Sequence, residues 1–161
     1  MTSKTLDLGC GTNPRNPYNA DSTYGIDIRT SPDNPNIKVA DLAVESIPFE
    51  SDYFDAVSAF DFIEHIPRVI YMPERRFPFV ILMNEIYRVL KKGGLFYSRT
   101  PVYPHPELFR DPTHVNFIAH DTFTYYFDER SNAKMYGFNG SFKVEQNEVQ
   151  DFYLYTQLRK I

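Results

Sequence analysis

Three acids follow one another along the first quarter of the chain, each at the end of a short apolar run. Asp7 stands beside Gly9-Cys10-Gly11, Asp27 follows Tyr24-Gly25-Ile26, and Asp41 follows Ile37-Lys38-Val39-Ala40. Glycines lack a Cβ and let the backbone come close to a ligand. Carboxylates beside such a loop accept hydrogen bonds from hydroxyl and amino groups. Asp27 suits the two hydroxyls of a ribose, and Asp41 an adenine amino group. Leu42 is placed to contact the ring and Phe60 to cover it. Asp7 suits orienting the glycine loop and attracting a cationic tail. Further along, His65, His105, His114 and His120, with Asp61 and Asp111, are the groups able to move a proton. Asp111 and His114 form the best pair, because an adjacent carboxylate orients an imidazole and raises its basicity.

The glycine loop discriminates between cofactors. A dinucleotide fingerprint continues G-x-G-x-x-G, but the third glycine position is Pro14. Pyrophosphate also needs a helix N-terminus, and Pro14, Asn16, Pro17 and Asn19 disfavour a long helix there. S-adenosyl-L-methionine carries ribose, adenine, an amino acid tail and a sulfonium but no phosphate, and it matches the acid series better. A nicotinamide-dependent oxidoreductase is correspondingly disfavoured. His105, Asp111, His114 and His120 match no tight metal-ligand spacing, so no metal is expected.

These residues need strands to place them. Residues 4–8, 24–28, 37–41, 54–59 and 95–98 read as short strands, with turn chemistry over 12–23 and 31–36. Residues 61–66 turn helical. Ile81, Leu82, Ile86, Val89 and Leu90 make a helical stripe over 80–92, with Lys91 and Lys92 in its last turn and Gly93-Gly94 as its stop. Residues 121–136 read as helix, and 141–149 with 151–159 as an antiparallel pair. Strands alternating with crossovers indicate an α/β fold. The expected architecture is a mostly parallel seven-stranded sheet with an antiparallel last strand, in three α/β/α layers. In such sheets ligands bind at the carboxyl ends of the strands, where these acids fall.

Composition narrows the partners. The 161 residues fit one domain, 1–161. With 17 basic and 21 acidic residues the chain has no basic footprint, which excludes nonspecific nucleic-acid binding. No apolar run approaches the roughly 20 residues of a membrane span, so no membrane insertion is expected. The start, Met1-Thr2-Ser3-Lys4, shows no signal-peptide apolar region. The single cysteine, Cys10, excludes an internal disulfide, and a reduced, cytoplasmic setting is expected.

Taken together, the motifs resemble a known family. Leu6-Asp7-Leu8-Gly9-Cys10-Gly11-Thr12 resembles the first motif of class I (Rossmann-like) S-adenosylmethionine-dependent methyltransferases, in their small type-11-like form. Gly25-Ile26-Asp27-Ile28 is similar to their second-strand acid motif. Ala40-Asp41-Leu42 with Ile47-Pro48-Phe49 is similar to the third-strand segment. Phe54-Asp55-Ala56-Val57 through Phe62-Ile63-Glu64-His65-Ile66, and Asn84 through Gly94, resemble the fourth strand and the helix before the fifth. Arg110-Asp111-Pro112-Thr113-His114-Val115 is similar to a segment after strand five in some small members. The resemblance implies cofactor contacts at Asp7, Gly9, Cys10, Gly11, Asp27, Ile28, Asp41, Leu42 and Phe60. The expected function is methyl transfer to an O or N of an unidentified small-molecule or saccharide-like acceptor.

The chain departs from the family in two ways. The family's helical N-terminal extension has no counterpart before the first strand, and the first helix is cut to a Pro/Asn-rich loop. A more open pocket follows, or one closed by a second subunit in a homodimer. Within the chain, two loops are expected to cover the site: 67–79, with Arg68, Arg75 and Arg76, and 100–120, with Tyr103, His105, Phe109, Asp111 and His114. Catalytic roles are expected of His114 with Asp111, and of His65. The alternative is a non-catalytic, cofactor-binding scaffold subunit.

Overall fold

A computed structural model describes residues 2–161. Seven strands form one sheet: β1 (Lys4–Leu8), β2 (Ser22–Asp27), β3 (Ile37–Val39), β4 (Phe54–Phe60), β5 (Leu90–Pro101), β6 (Phe142–Gln150) and β7 (Tyr153–Lys160). Their order is β3-β2-β1-β4-β5-β7-β6. Strands β1 to β5 pair in parallel, and β7 runs antiparallel to both β5 and β6. This is the expected α/β Rossmann-like methyltransferase fold with an antiparallel last strand. The strand order reverses between β1 and β4, which opens a crevice at their carboxyl ends.

The register sorts side chains onto two faces, because alternate residues of a strand point to opposite sides. Leu6 pairs with Tyr24 and Val57, Val57 with Phe96, and Phe96 with Leu158. That row is the apolar core face, where Leu6, Val57, Phe96 and Leu158 are fully buried. Helix α1 (Pro78–Val89) covers it with Phe79, Leu82, Met83, Ile86 and Val89. Pro78 stands in its first turn, where a missing N–H leaves no bond unmade. After α2 (Glu107–Arg110), helix α3 (Thr122–Tyr126) adds Phe123, whose ring lies 6.1 Å from that of Phe79.

The opposite face carries Asp7, Gly25, Ser58, Tyr97 and Gln157 in one row. Its layer is loop. Residues 9–21 contain no helix and are held down by hydrogen bonds. The Arg15 N–H donates to Asp7 Oδ2 at 2.8 Å, and the Tyr18 hydroxyl to Gln157 Oε1 at 3.0 Å. The α/β/α layering is therefore helical on the core face alone at this position.

Besides shifts of a few residues at strand ends, three features depart from the sequence reading. Helix α1 stops at Val89, because Leu90 turns extended and pairs with Phe54 of β4. Lys91 to Gly94 then form a bulge inside β5, between the pairs at Leu90 and Leu95, so the two glycines shape a strand and do not end a helix. The expected helix over 121–136 splits into α3 and a 3-10 turn, Asn132–Tyr136, because Ser131 adopts a left-handed conformation (φ 48°) between them.

Candidate active site

A cleft of about 440 Å3 opens at the carboxyl ends of β1, β2 and β3. Gly9, Asp27, Ile28, Asp41, Leu42, Phe62 and Ile66 line it, with Asp61, His65 and Thr113 toward one end. Gly9 (φ +66°) and Gly11 (φ +59°) carry the backbone from β1 across the opening in a left-handed conformation that suits glycine. A side chain at Gly9 would meet the Phe62 ring at 2.5 Å.

Asp27 is 6% exposed and already engaged. Its Oδ2 accepts the Gly11 N–H at 2.8 Å, and its Oδ1 accepts Arg29 N–H and Nε, both at 3.0 Å. Burial opposes its ionisation, but these bonds, led by the Arg29 side chain, hold its carboxyl below the usual range. Oδ2 keeps a further lone pair for a ligand hydroxyl, and Oδ1 gains one when the exposed Arg29 side chain swings away. The exposed Asp41 accepts the Ala43 N–H at 3.0 Å, and the buried Leu42 stands beside it. The apolar Ile28 and Leu42 flanked by two carboxylates match an adenosyl group, which has a flat ring, two hydroxyls and an amino group.

A second cleft of about 430 Å3 adjoins the first across Asp61, which lines both. Glu64, Glu107, Arg110, Asp111, His114 and Tyr153 line it. The 3-10 turn Ile63–His65 and the loop after β5 build the wall between the clefts. The Glu64 carbonyl accepts the N–H groups of Val115 and Asn116, each at 2.9 Å, and Asn116 Nδ2 donates to the Ile63 carbonyl at 3.1 Å. Those bonds bring His114 edge-on to His65, with ring centroids 4.8 Å apart. His114 Nδ1 lies 2.9 Å from the Leu108 carbonyl, and His65 Nδ1 lies 3.0 Å from Thr113 Oγ1. Glu64 is fully buried, and Thr100 donates to its Oε2 at 2.9 Å. Burial pushes its carboxyl up to about 7. Asp61 sits at φ 51° and pairs with Arg99.

The comparisons with known proteins accord with this geometry. Residues 6–98, from β1 into β5, match the model of the Methyltransferase domain family. The chain belongs to that family. Among solved structures, the methyltransferase domain resembles a SAM-dependent methyltransferase from Archaeoglobus fulgidus. That match has TM-score 0.63 and 13% identity, and covers 99% of this chain and 86% of the other. It also resembles a Haloferax volcanii protein solved in complex with the Trm112 methyltransferase activator, at TM-score 0.63 and 15% identity, covering 99% and 82%. A third similar structure is the [4+2]-cyclase SpnF, at TM-score 0.61 and 16% identity, covering 99% and 74%. No curated protein matches the sequence. These likenesses establish the fold, and SpnF illustrates that one fold hosts more than one reaction.

Within the methyltransferase domain, the residues singled out in the sequence fall into three groups. Gly9, Asp27, Ile28, Asp41 and Leu42 line the cleft, and Gly11 is tied to it through Asp27. Asp7 and Cys10 do not line it. Asp7 is fully buried behind the loop, accepts from Arg15 N–H and Ser58 Oγ, and has its carboxyl raised by burial. The Cys10 sulfur fills the space a side chain at position 25 would occupy. Burial and then the nearby Asp7 and Asp27 charges push its thiol up to about 11. Phe60 also points away. It lies against Tyr97 (5.3 Å) and under the Arg15 guanidinium (4.8 Å), and Phe62, beyond the left-handed turn at Asp61, lines the cleft in its place.

The proton-moving groups are also rearranged. Asp111 makes no contact with the His114 ring. Its Oδ1 takes the Thr113 hydroxyl at 2.6 Å and thereby reaches His65. Hydrogen bonds from Thr113 hold its carboxyl below the usual range. His105 stacks on Phe152 instead of joining His114. Arg68 binds Asn116 Oδ1 at 2.7 Å and lines a separate aromatic cavity with Tyr103, Phe109 and Phe117, away from the cofactor cleft. Sequence reasoning missed Glu64. Its only signal was its place beside His65, where an acid reads as an ordinary surface residue.

Proposed function

We propose that this chain is an active S-adenosylmethionine-dependent methyltransferase. It transfers the methyl group to an oxygen or nitrogen of a small-molecule or saccharide-like acceptor. The observation that carries this reading is the pair of adjoining clefts, one with a carboxylate after each of two consecutive strands and the other with imidazoles at the shared wall. When bound, the cofactor's sulfonium supplies a methyl carbon open to in-line attack.

The chain's own groups do the rest. Asp27 accepts from the ribose hydroxyls, Asp41 from the adenine amino group, and Ile28 and Leu42 enclose the ring. Asp7 holds the glycine loop in shape through the Arg15 N–H. An acceptor in the second cleft lies beside His114 and Asp61, held in line with the first cleft, and such positioning alone removes much of a barrier. An imidazole nitrogen at the wall is placed to take a hydroxyl proton. A dinucleotide is poorly served, because Leu8 connects to Ser22 without a helix to face a pyrophosphate. The domain works as one unit over 1–161, and the buried free thiol of Cys10 suits a reducing, cytoplasmic setting.

Calorimetry with S-adenosylhomocysteine and with NAD tests the cofactor: binding of the first alone is expected, and binding of NAD alone would overturn the reading. Release of S-adenosylhomocysteine with a mixed acceptor pool separates an enzyme from a binding subunit. His114→Ala is expected to lower that turnover while cofactor affinity stays within a few-fold.

A further inference from the structure

One ring nitrogen from each of His65 and His114, and one oxygen of Glu64, lie within 4.8 Å of one another. In the neutral imidazoles the surrounding hydrogen bonds fix which ring nitrogen carries the proton. The Leu108 carbonyl only accepts, so His114 Nδ1 at 2.9 Å holds the hydrogen and Nε2 is bare. The Asp111 carboxylate also only accepts, so the single Thr113 hydroxyl hydrogen goes to it at 2.6 Å. His65 Nδ1, 3.0 Å from that same hydroxyl oxygen, must then donate to it, and His65 Nε2 is bare as well. Glu64 is fully buried; Oε2 accepts from Thr100, while Oε1 has no partner.

Glu64, His65 and His114 thus each keep a lone pair that the protein does not use, on groups whose ligand atoms lie within 4.8 Å of one another. Without a positive or proton-bearing partner this arrangement is unfavourable, because a buried carboxylate oxygen left unpaired loses its hydration and gains nothing. Two imidazoles and a carboxylate are a donor set for divalent transition metals, with positions left open for substrate. Each Nδ1–H is held by a carbonyl or by a hydroxyl–carboxylate relay, which is the outer arrangement that orients metal-bound histidines.

We propose that Glu64, His65 and His114 bind one divalent transition metal ion, of the zinc class, on the wall between the two clefts. Glu64 and His114 of this set line the cleft that Asp61 and Arg110 also line. Metal–ligand bonds of about 2.0–2.2 Å require the three groups to draw together, and small rotations of the two rings supply that movement. What the ion does there rests on the methyltransferase reading. It binds the acceptor's hydroxyl oxygen and lowers that hydroxyl's pKa, so the O–H proton leaves to water. The new O–CH3 bond then forms as the S–CH3 bond breaks, leaving a neutral thioether. With the ion bound, the imidazoles are ligands, and the base role assigned to them above passes to solvent.

Chelator-stripped protein titrated with Zn2+ in a calorimeter, and with Co2+ by visible absorption, tests the site. One ion per chain is expected. Glu64→Gln, His65→Ala and His114→Ala are each expected to weaken binding by at least ~100-fold, whereas His105→Ala and His120→Ala leave it unchanged. Because Glu64 is buried, His65→Ala at its half-buried site is the variant that must show the loss even if Glu64→Gln fails to fold. Absence of stoichiometric binding in the parent protein, or binding unaffected by His65→Ala and His114→Ala, overturns the proposal. Zn2+ binding without S-adenosylhomocysteine binding would overturn the cofactor assignment and leave the ion site standing.

Discussion

The Gly11 N–H donates to Asp27 Oδ2 over 2.8 Å, joining the loop after β1 to the end of β2. In the proposed function the same carboxylate receives the ribose, so loop geometry and cofactor binding would share one acceptor. Asp27→Ala is expected to weaken S-adenosylhomocysteine binding by about 1.5–3 kcal/mol, roughly 10- to 150-fold. Asp27→Asn keeps an oxygen for Gly11 and is expected to lose less. Calorimetry on both variants, with an unfolding curve for each, checks the difference.

Gly9 and Gly11 share a left-handed backbone but not their surroundings: a Cβ at Gly9 meets Phe62 at 2.5 Å, and one at Gly11 meets nothing within 4 Å. Alanine at either position is expected to cost about 1–2 kcal/mol for the backbone. Gly9→Ala adds an overpacking penalty of about 1–3 kcal/mol. Urea unfolding of Gly9→Ala, Gly11→Ala and Gly9→Ala with Phe62→Ala measures the excess and its relief.

Thr113 and His65 line the cleft at the ends of β1 to β3, where the cofactor is proposed to bind, whereas Arg68 lines a separate aromatic cavity. Hydrogen exchange is therefore expected to slow over 111–115 when S-adenosylhomocysteine binds, with 67–77 unchanged. Protection confined to 67–77 would restore the arginine segment as the cover.

Glu85 accepts from Arg88 Nε and Nη2 at 2.8 and 2.7 Å and from the Ile47 N–H at 2.9 Å. The Arg88 hydrogen bonds hold its carboxyl below the ordinary value of 4.5 in spite of partial burial. Because the folded pKa is lowered, the stabilisation is present above the unfolded value and lost as pH falls through the folded one. Glu85→Gln is expected to lower stability by about 1–2 kcal/mol at neutral pH, with the difference vanishing in acid. Urea midpoints from neutral pH down to below pH 4 follow it.

The strands and the acids that end them are legible in the sequence because a parallel sheet needs apolar runs, and ligand chemistry gathers where those runs stop. Asp27 and Asp41 fall in place for that reason. Phe60 and Phe62 show what is not legible: both are aromatics at the end of β4, two residues apart, and the left-handed turn at Asp61 between them decides which ring meets the cleft. The partners of Asp111 are equally hidden, because its turn through Thr113 to His65 spans 48 residues of sequence. The end of α1 depends on Leu90 pairing with Phe54, a contact that local propensity does not contain.

The loop layer over Asp7, Ser58 and Gln157 makes the two sides of the sheet answer differently to substitution. Between α1 and the sheet, Leu6, Val57, Phe96 and the helix's own Ile86 are interchangeable in kind, and a swap of similar volume is absorbed by neighbours. On the loop side each tie is singular: one Arg15 N–H to Asp7, one Tyr18 hydroxyl to Gln157, one Gly11 N–H to Asp27. Sequence drift in this chain should accordingly be wide under the helix and narrow under the loop, the reverse of the usual contrast between conserved cores and variable loops.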